Sequence, residues 1–280
     1  MRWCVSVAAV LVAGMIVGGD VAGFAAPGPR SPLADAGPGA SSVNVELVIA
    51  VDVSYSMDMD ELAVQREGYA QAITSPEFLQ ALKNGPTGKI AVTYFEWAAS
   101  FDQKIIIPWR VIDGAASADA VAAEIMETPV RRGSSTSISG AINFATRLFE
   151  ENPYHGSRRV IDISGDGPNN DGAPVAGARD AAVEKGIIIN GLPIMVKAPS
   201  LATIDIENLD QYYEDCVIGG PGAFIMTIRD RAKFQEAIRT KLVLEVAGLT
   251  PERGLVRAAG KEPRVSCLIG EQKVRERGRR

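Results

Sequence analysis

The stretch Val45-Glu46-Leu47-Val48-Ile49-Ala50-Val51-Asp52-Val53-Ser54-Tyr55-Ser56 decides how this chain is read. Val45 to Val51 is an apolar run broken only by Glu46, the pattern of a strand buried on both faces, as in a parallel sheet. The run ends in Asp52, Ser54 and Ser56, three oxygen-bearing side chains on alternate residues. In open parallel sheets, ligands bind beyond the carboxyl ends of the strands. Alone, this D-x-S-x-S turn is ambiguous, because Asp and Ser after a strand also serve as helix caps and turn formers.

Downstream, the spacing predicts a helix over 60–74, with Leu62, Tyr69 and Ile73 on one side. Residues 88–97 and 103–111 read as two strands of a hairpin. Helical patterns cover 118–127, 138–151 and 175–185; in the second, Ile138, Ile142, Ala145 and Phe149 form the apolar stripe. Short apolar strands are expected at 160–164, 187–192 and 224–228. Asp230 can cap a last helix bearing Phe234, Ile238 and Leu242. Strands alternating with helices predict an α/β fold, doubly wound, with a mostly parallel central sheet of about six strands, one antiparallel edge strand, and helices on both faces.

The termini read differently. Arg2, the apolar run from Cys4 to Gly19 and the small residues around Ala25 have the layout of a signal peptide over 1–25, with an uncleaved anchor as the alternative. Residues 26–42 are a flexible linker rich in Pro, Gly, Ala and Ser, 43–247 hold the domain, and 248–280 form an extension ending in a basic, frayed tail from Lys273 to Arg280. This predicts export to the periplasm or cell exterior, with no stable membrane insertion after signal cleavage. Removing Cys4 with the signal leaves Cys216 and Cys267 in an oxidising compartment. A disulfide is the expected outcome and two separate buried thiols the alternative. The whole chain of 280 residues is 46% hydrophobic and carries net charge -5. That composition is globular and offers no broad basic field for nucleic acid.

Two later segments give the first turn its meaning. Gly133-Ser134-Ser135-Thr136-Ser137 precedes a helix, and Ser164-Gly165-Asp166-Gly167 follows a strand. Asp52, Ser54, Ser56, Thr136 and Asp166 make an all-oxygen set without thiolate or imidazole, suited to a hard divalent cation such as Mg²⁺, with Mn²⁺ a substitute. Two carboxylates do not neutralise such an ion fully, so a position left to water could accept a carboxylate from another molecule. Asp162, inside an apolar strand, reads as a hydrogen-bonded structural residue, with a supporting role at the site as the alternative. Glu96 is either paired structurally or lines the same crevice. Asn169, Asn170 and Asp171 read as a turn, with ligand contact as the alternative.

These motifs resemble those of a von Willebrand factor type A domain carrying a metal-ion-dependent adhesion site, over residues 43 to about 246. The chain is also similar to exported bacterial proteins of unknown function that carry this domain. The resemblance implies that Ser54, Ser56 and Thr136 hold the cation, that Asp52 and Asp166 act largely through water, and that a partner's Glu or Asp completes the sphere. Two positions depart from the pattern. Gly165 stands where threonine is usual, and Thr136 is followed by Ser137-Ile138-Ser139-Gly140, so Ser135 and Ser137 are alternative loop ligands. The function expected is a secreted or periplasmic, metal-dependent protein-binding module without enzymatic activity. The alternatives are Mg²⁺-dependent phosphoryl transfer or another hydrolase, and a structural domain without a metal-mediated partner. Serine–histidine chemistry has only His155 to draw on, and the chain has no Gly-x-Ser-x-Gly elbow.

Overall fold

The apolar run becomes the central strand of the sheet. The computed structural model describes residues 41–199, 204–251 and 262–279. The expected signal peptide and nearly all of the expected linker therefore lie outside the described residues. In chain order the elements are β1 (Ser41–Val43), β2 (Glu46–Asp52), α1 (Met59–Thr74), α2 (Pro76–Asn84), β3 (Ile90–Trp97), β4 (Gln103–Ile112), α3 (Ala115–Glu127), α4 (Ile138–Glu150), β5 (Tyr154–Gly156), β6 (Arg159–Gly165), α5 (Val175–Glu184) and β7 (Ile187–Pro193). They are followed by α6 (Leu209–Tyr212), which runs into a π turn at Tyr213–Val217, then by a 3₁₀ turn at Arg231–Lys233, α7 (Phe234–Ala247) and α8 (Ile269–Arg277).

The main sheet has the order β4-β3-β2-β6-β7. Every pairing is parallel except the hairpin of β3 with the edge strand β4. β2 is buried along its whole length. Glu46 does not break that pattern because its carboxylate is satisfied: Oε1 accepts the Gly156 backbone N–H at 2.8 Å, and Oε2 accepts Asn152 Nδ2 at 2.9 Å. Alternate β2 residues face opposite layers. Leu47 and Ile49 pack with Tyr69 of α1, Ile125 of α3 and Ile238 of α7. Val48 and Ala50 pack with Ile142 of α4, Ala178 of α5 and Tyr213. The two-sided α/β architecture read from the sequence is thus present.

Three expectations need correction. The main sheet has five strands, not six. Phe224 to Ile228 runs beside β7 but makes only the isolated bridges Gly191↔Ile225 and Ile194↔Ile228. The rung between them would need an N–H from Pro193, which has none. The chain also forms α2, which was not anticipated; Ser75 caps it by accepting from Phe78 N, and Pro76 occupies its first turn. Finally, the tail expected to fray from Lys273 is helical as far as Arg277, where α8 ends, and lies within the same compact unit as the sheet. Its weak apolar patterning hid it, since beyond Ile269 it docks through backbone and polar contacts.

The expected disulfide is present. Cys216, buried in the π turn, is bonded to Cys267 just ahead of α8. Among the described residues, no helix is long and apolar enough to cross a membrane.

Candidate metal centre

The turn after β2 is folded by its own side chains. Asp52 is fully buried, and its Oδ1 accepts the Ser54 backbone N–H at 2.7 Å. Four residues after Ser54, Asp58 opens α1 with a reciprocal capping box to Glu61, which fixes where the turn ends. Ser54 and Ser56 hydroxyl oxygens lie 2.9 Å apart, and Ser56 Oγ donates to Asp166 Oδ1 at 2.6 Å. Side chains 110 residues apart in sequence therefore meet in one hydrogen-bonded chain.

Thr136 reaches the same cleft by a different route. Gly133 N donates to Val53 O at 2.8 Å, tying the start of the loop to the β2 turn. Asn170 then holds the loop from the other side, its Oδ1 accepting from Thr136 N at 2.9 Å and its N donating to Thr136 O at 2.8 Å. Ser135 adopts φ 64°, the one non-glycine residue with positive φ among those described. Such a conformation persists only where its surroundings over-determine it. Ser54, Ser56 and Thr136 line a cleft of about 450 Å³, together with Ser135 and Asp205. Of the alternative loop residues, Ser135 is in the cleft. Ser137 instead caps α4, its Oγ accepting from Gly140 N at 3.2 Å and donating to Asp171 O at 2.9 Å.

The electrostatics are those of an anionic hollow. Asp52 Oδ2 is buried and has no hydrogen-bond partner. Burial pushes the Asp52 carboxyl up from 3.8 to about 7, against the stabilising Ser54 backbone N–H. Burial first, and then the Asp52 charge, hold Asp166 well above the usual carboxylate range. Such a hollow, with three hydroxyls at its rim and an orphaned carboxylate oxygen, fits a hard divalent cation. The set relies on hydroxyls, since among the described residues no group of three or more His, Cys, Asp and Glu forms a cage.

A pH dependence follows for the metal-free chain. The folded value for Asp52 lies above the unfolded one, so its contribution to stability is complete below about 4 and is lost as pH rises through about 7. In chelator, the melting temperature is expected to fall between about pH 5 and pH 8, and to fall less in Asp52→Asn. Equal slopes in the two proteins would show that this carboxyl is not the source.

The Gly165 departure has a steric cause. A Cβ at that position would lie 2.8 Å from Asp52 Oδ2 and 2.8 Å from the Tyr213 hydroxyl. Tyr213, brought in by the π turn, fills the corner, and its buried hydroxyl has no hydrogen-bond partner of its own. Neither Tyr213 nor Asp205 was anticipated from the sequence. Both come from segments distant in the chain, where no strand-end motif marks them.

The remaining candidates resolve into supporting roles. Asp162 is fully buried, 2.6 Å from Lys241 Nζ. Glu96 is buried and pairs with Arg66 and, at 3.2 Å, with Arg131, away from the cleft. Asn169 accepts Ser139 N at 2.9 Å, and Asp171 accepts Ser100 N at 2.7 Å, so both brace neighbouring loops. His155 sits on β5, just before the amino-terminal end of β6, and so at the opposite edge of the sheet from these hydroxyls.

Comparisons with known proteins agree with the fold. Proximal thread matrix protein 1 from the mussel byssus, in a structure with a zinc-occupied MIDAS motif, superposes at TM-score 0.53 and 14% identity, covering 74% of this chain and 49% of that one. The pilus adhesin SpaC from Lactobacillus rhamnosus GG superposes at TM-score 0.55 and 10% identity over 73% of this chain and 31% of its own. A von Willebrand factor type A protein from Catenulispora acidiphila aligns at 17% identity and TM-score 0.49, covering 74% of this chain and 43% of that one. The chain spans about half the length of the mussel protein. No curated protein matches the sequence. The architecture is that of the von Willebrand factor type A fold. Residues 42–250 match the family model described as "Protein of unknown function (DUF1194)", and the chain belongs to that family.

Proposed function

We propose that the protein is an exported binding module that holds a divalent cation and uses it to capture an acidic side chain, Glu or Asp, of a protein partner. Ser54, Ser56 and Thr136 would supply hydroxyl ligands, and Asp52 and Asp166 the negative charge behind them. Mg²⁺ is the expected ion and Mn²⁺ its substitute, because neutral hydroxyls with few carboxylates suit a small hard cation. The observation that carries this reading is the hydrogen-bonded chain Ser54–Ser56–Asp166 beside the orphaned Asp52 Oδ2. The zinc-occupied MIDAS motif of the mussel protein supports a divalent ion in a fold of this kind. We place the signal peptide at 1–25 and the binding domain at 43–247, with periplasmic or extracellular residence.

The bound cation supplies a positive centre for a carboxylate. The protein's own contribution is to hold the three loops in register through Asn170 and the Gly133 bridge, and to keep Asp52 dry. Calorimetric titration with Mg²⁺ and with Mn²⁺ tests the proposal. Wild type is expected to bind, and Asp52→Ala to lose at least about 100-fold in affinity, because a buried charge facing the ion is removed. Equal heats in the two proteins would end the proposal.

A further inference from the structure

The C-terminal helix does more than decorate the domain. A Cβ on Gly270 would lie 1.9 Å from the Asn169 carbonyl oxygen, so α8 touches the loop after β6 through bare backbone. From the same turn, Glu271 Oε1 accepts Asn169 Nδ2 at 2.9 Å, and Lys273 Nζ donates to Asp205 O at 2.9 Å. The disulfide from Cys267 to Cys216 anchors the approach to the helix. Held in this way, α8 presents Val274 and Arg277 to the cleft that Tyr55, Ser56 and Thr136 line on the other side. Tyr55 is exposed, with the Arg132 guanidinium 5.1 Å from its ring centre. Arg275 on α8 and Arg279, just past its end, are exposed as well. A chain of net charge -5 thus places a basic side chain on the wall of a cleft that Asp171 and Asp205 also line. The helix also lies beyond the residues 42–250 that the family model spans.

We infer that α8 is a selectivity wall, and that the cleft takes an extended acidic peptide segment of a partner protein rather than an isolated carboxylate. One carboxylate would sit at the floor, neighbouring acidic residues would face the α8 arginines, and an apolar side chain would lie along Tyr55 and Val274. The inference rests on the cation-dependent capture proposed above and adds the half of the site that recognises the partner's sequence. Charge complementarity favours this occupant, since reversing the sign of rim charges suppresses wrong partners more than it changes the floor.

The test is fluorescence anisotropy on the full mature chain with Mg²⁺ or Mn²⁺. It uses two labelled peptides of equal length, one of alternating Glu and Leu and one of Gly and Ser with a single central Glu. Wild type is expected to bind the acidic peptide about tenfold more tightly, and the double variant Arg275→Glu/Arg277→Glu is expected to lose most of that preference. Cation binding by calorimetry should persist in that variant, and single-Glu binding should fall much less than acidic-peptide binding. An undiminished preference in the variant, with cation affinity intact, would overturn the role of α8 and leave the proposed function standing. Absence of cation binding in wild type would bring down both, and calorimetry tells the cases apart. Loss of binding to phosphatidylglycerol vesicles with peptide binding retained would assign the arginines to a lipid surface and overturn the inference.

Discussion

Lys241→Ala is expected to destabilise the protein by about 3–5 kcal/mol, the usual loss when one partner is removed from a buried ion cluster. Lys241 projects from α7 with no exposed side-chain surface, 2.6 Å from Asp162 Oδ1 and 2.5 Å from Glu245 Oε1. Glu245 Oε1 also accepts Asn190 Nδ2 at 2.9 Å, so strands and helix share one polar knot. Burial pulls the lysine's affinity for its proton down, and the Asp162 and Glu245 charges more than offset that. Without the ammonium, two carboxyls would face each other in a dry interior. Burial, followed by the Asp162 charge, already raises Glu245 to about 7. Its raised value means that its stabilising contribution is complete below about 4.5 and is lost as pH rises through about 7. Denaturant unfolding should therefore show a larger loss for Lys241→Ala at about pH 8 than at about pH 5. Lys241→Met/Asp162→Asn, which removes both charges, should recover part of it. A single variant within about 0.5 kcal/mol of wild type would refute the ion cluster as a structural element.

Opening the Cys216–Cys267 bridge should have an effect of similar size. The bridge spans 51 residues. Loop-closure entropy for a span of that length contributes about 4 kcal/mol. For a domain of this size that corresponds to a fall of roughly 8–16 °C in melting temperature. Thermal melts of the Cys216→Ser/Cys267→Ser chain, or of wild type in reductant, would measure it. The double variant should also lose amide protection over 269–277, because the contacts of Ile269, Gly270, Glu271 and Lys273 no longer have the covalent tie behind them. A melt unchanged to within about 2 °C would mean that the bridge closes no entropically significant loop.

Much of this architecture is written locally. The apolar β2 run and the 3.6-residue stripe of α4 each form where the pattern places them, while the Asp230 cap closes a 3₁₀ turn that leads into α7 rather than α7 itself. The meeting of Ser56 with Asp166 was legible because strand ends of a parallel sheet share an edge. What escaped depends on partners far along the chain. The strand expected at 224–228 fails because of a proline on its neighbour, not because of its own composition. Lys241 could have been noticed as a cation four residues before Glu245 on an apolar stripe, yet its second partner, Asp162, lies on β6. α8 carries almost no apolar signal and is held by a sulfur bridge and a glycine contact that no periodicity encodes.

The Gly165–Tyr213 corner constrains how this lineage can drift. Threonine introduced at 165 collides with the phenol, whereas trimming the phenol alone opens a void beside Asp52. Each single step is unfavourable, and even the paired exchange leaves the new Cβ 2.8 Å from Asp52 Oδ2. A side chain at 165 therefore needs both the Tyr213 phenol and the Asp52 carboxylate to move at once, which makes this corner resistant to stepwise exchange.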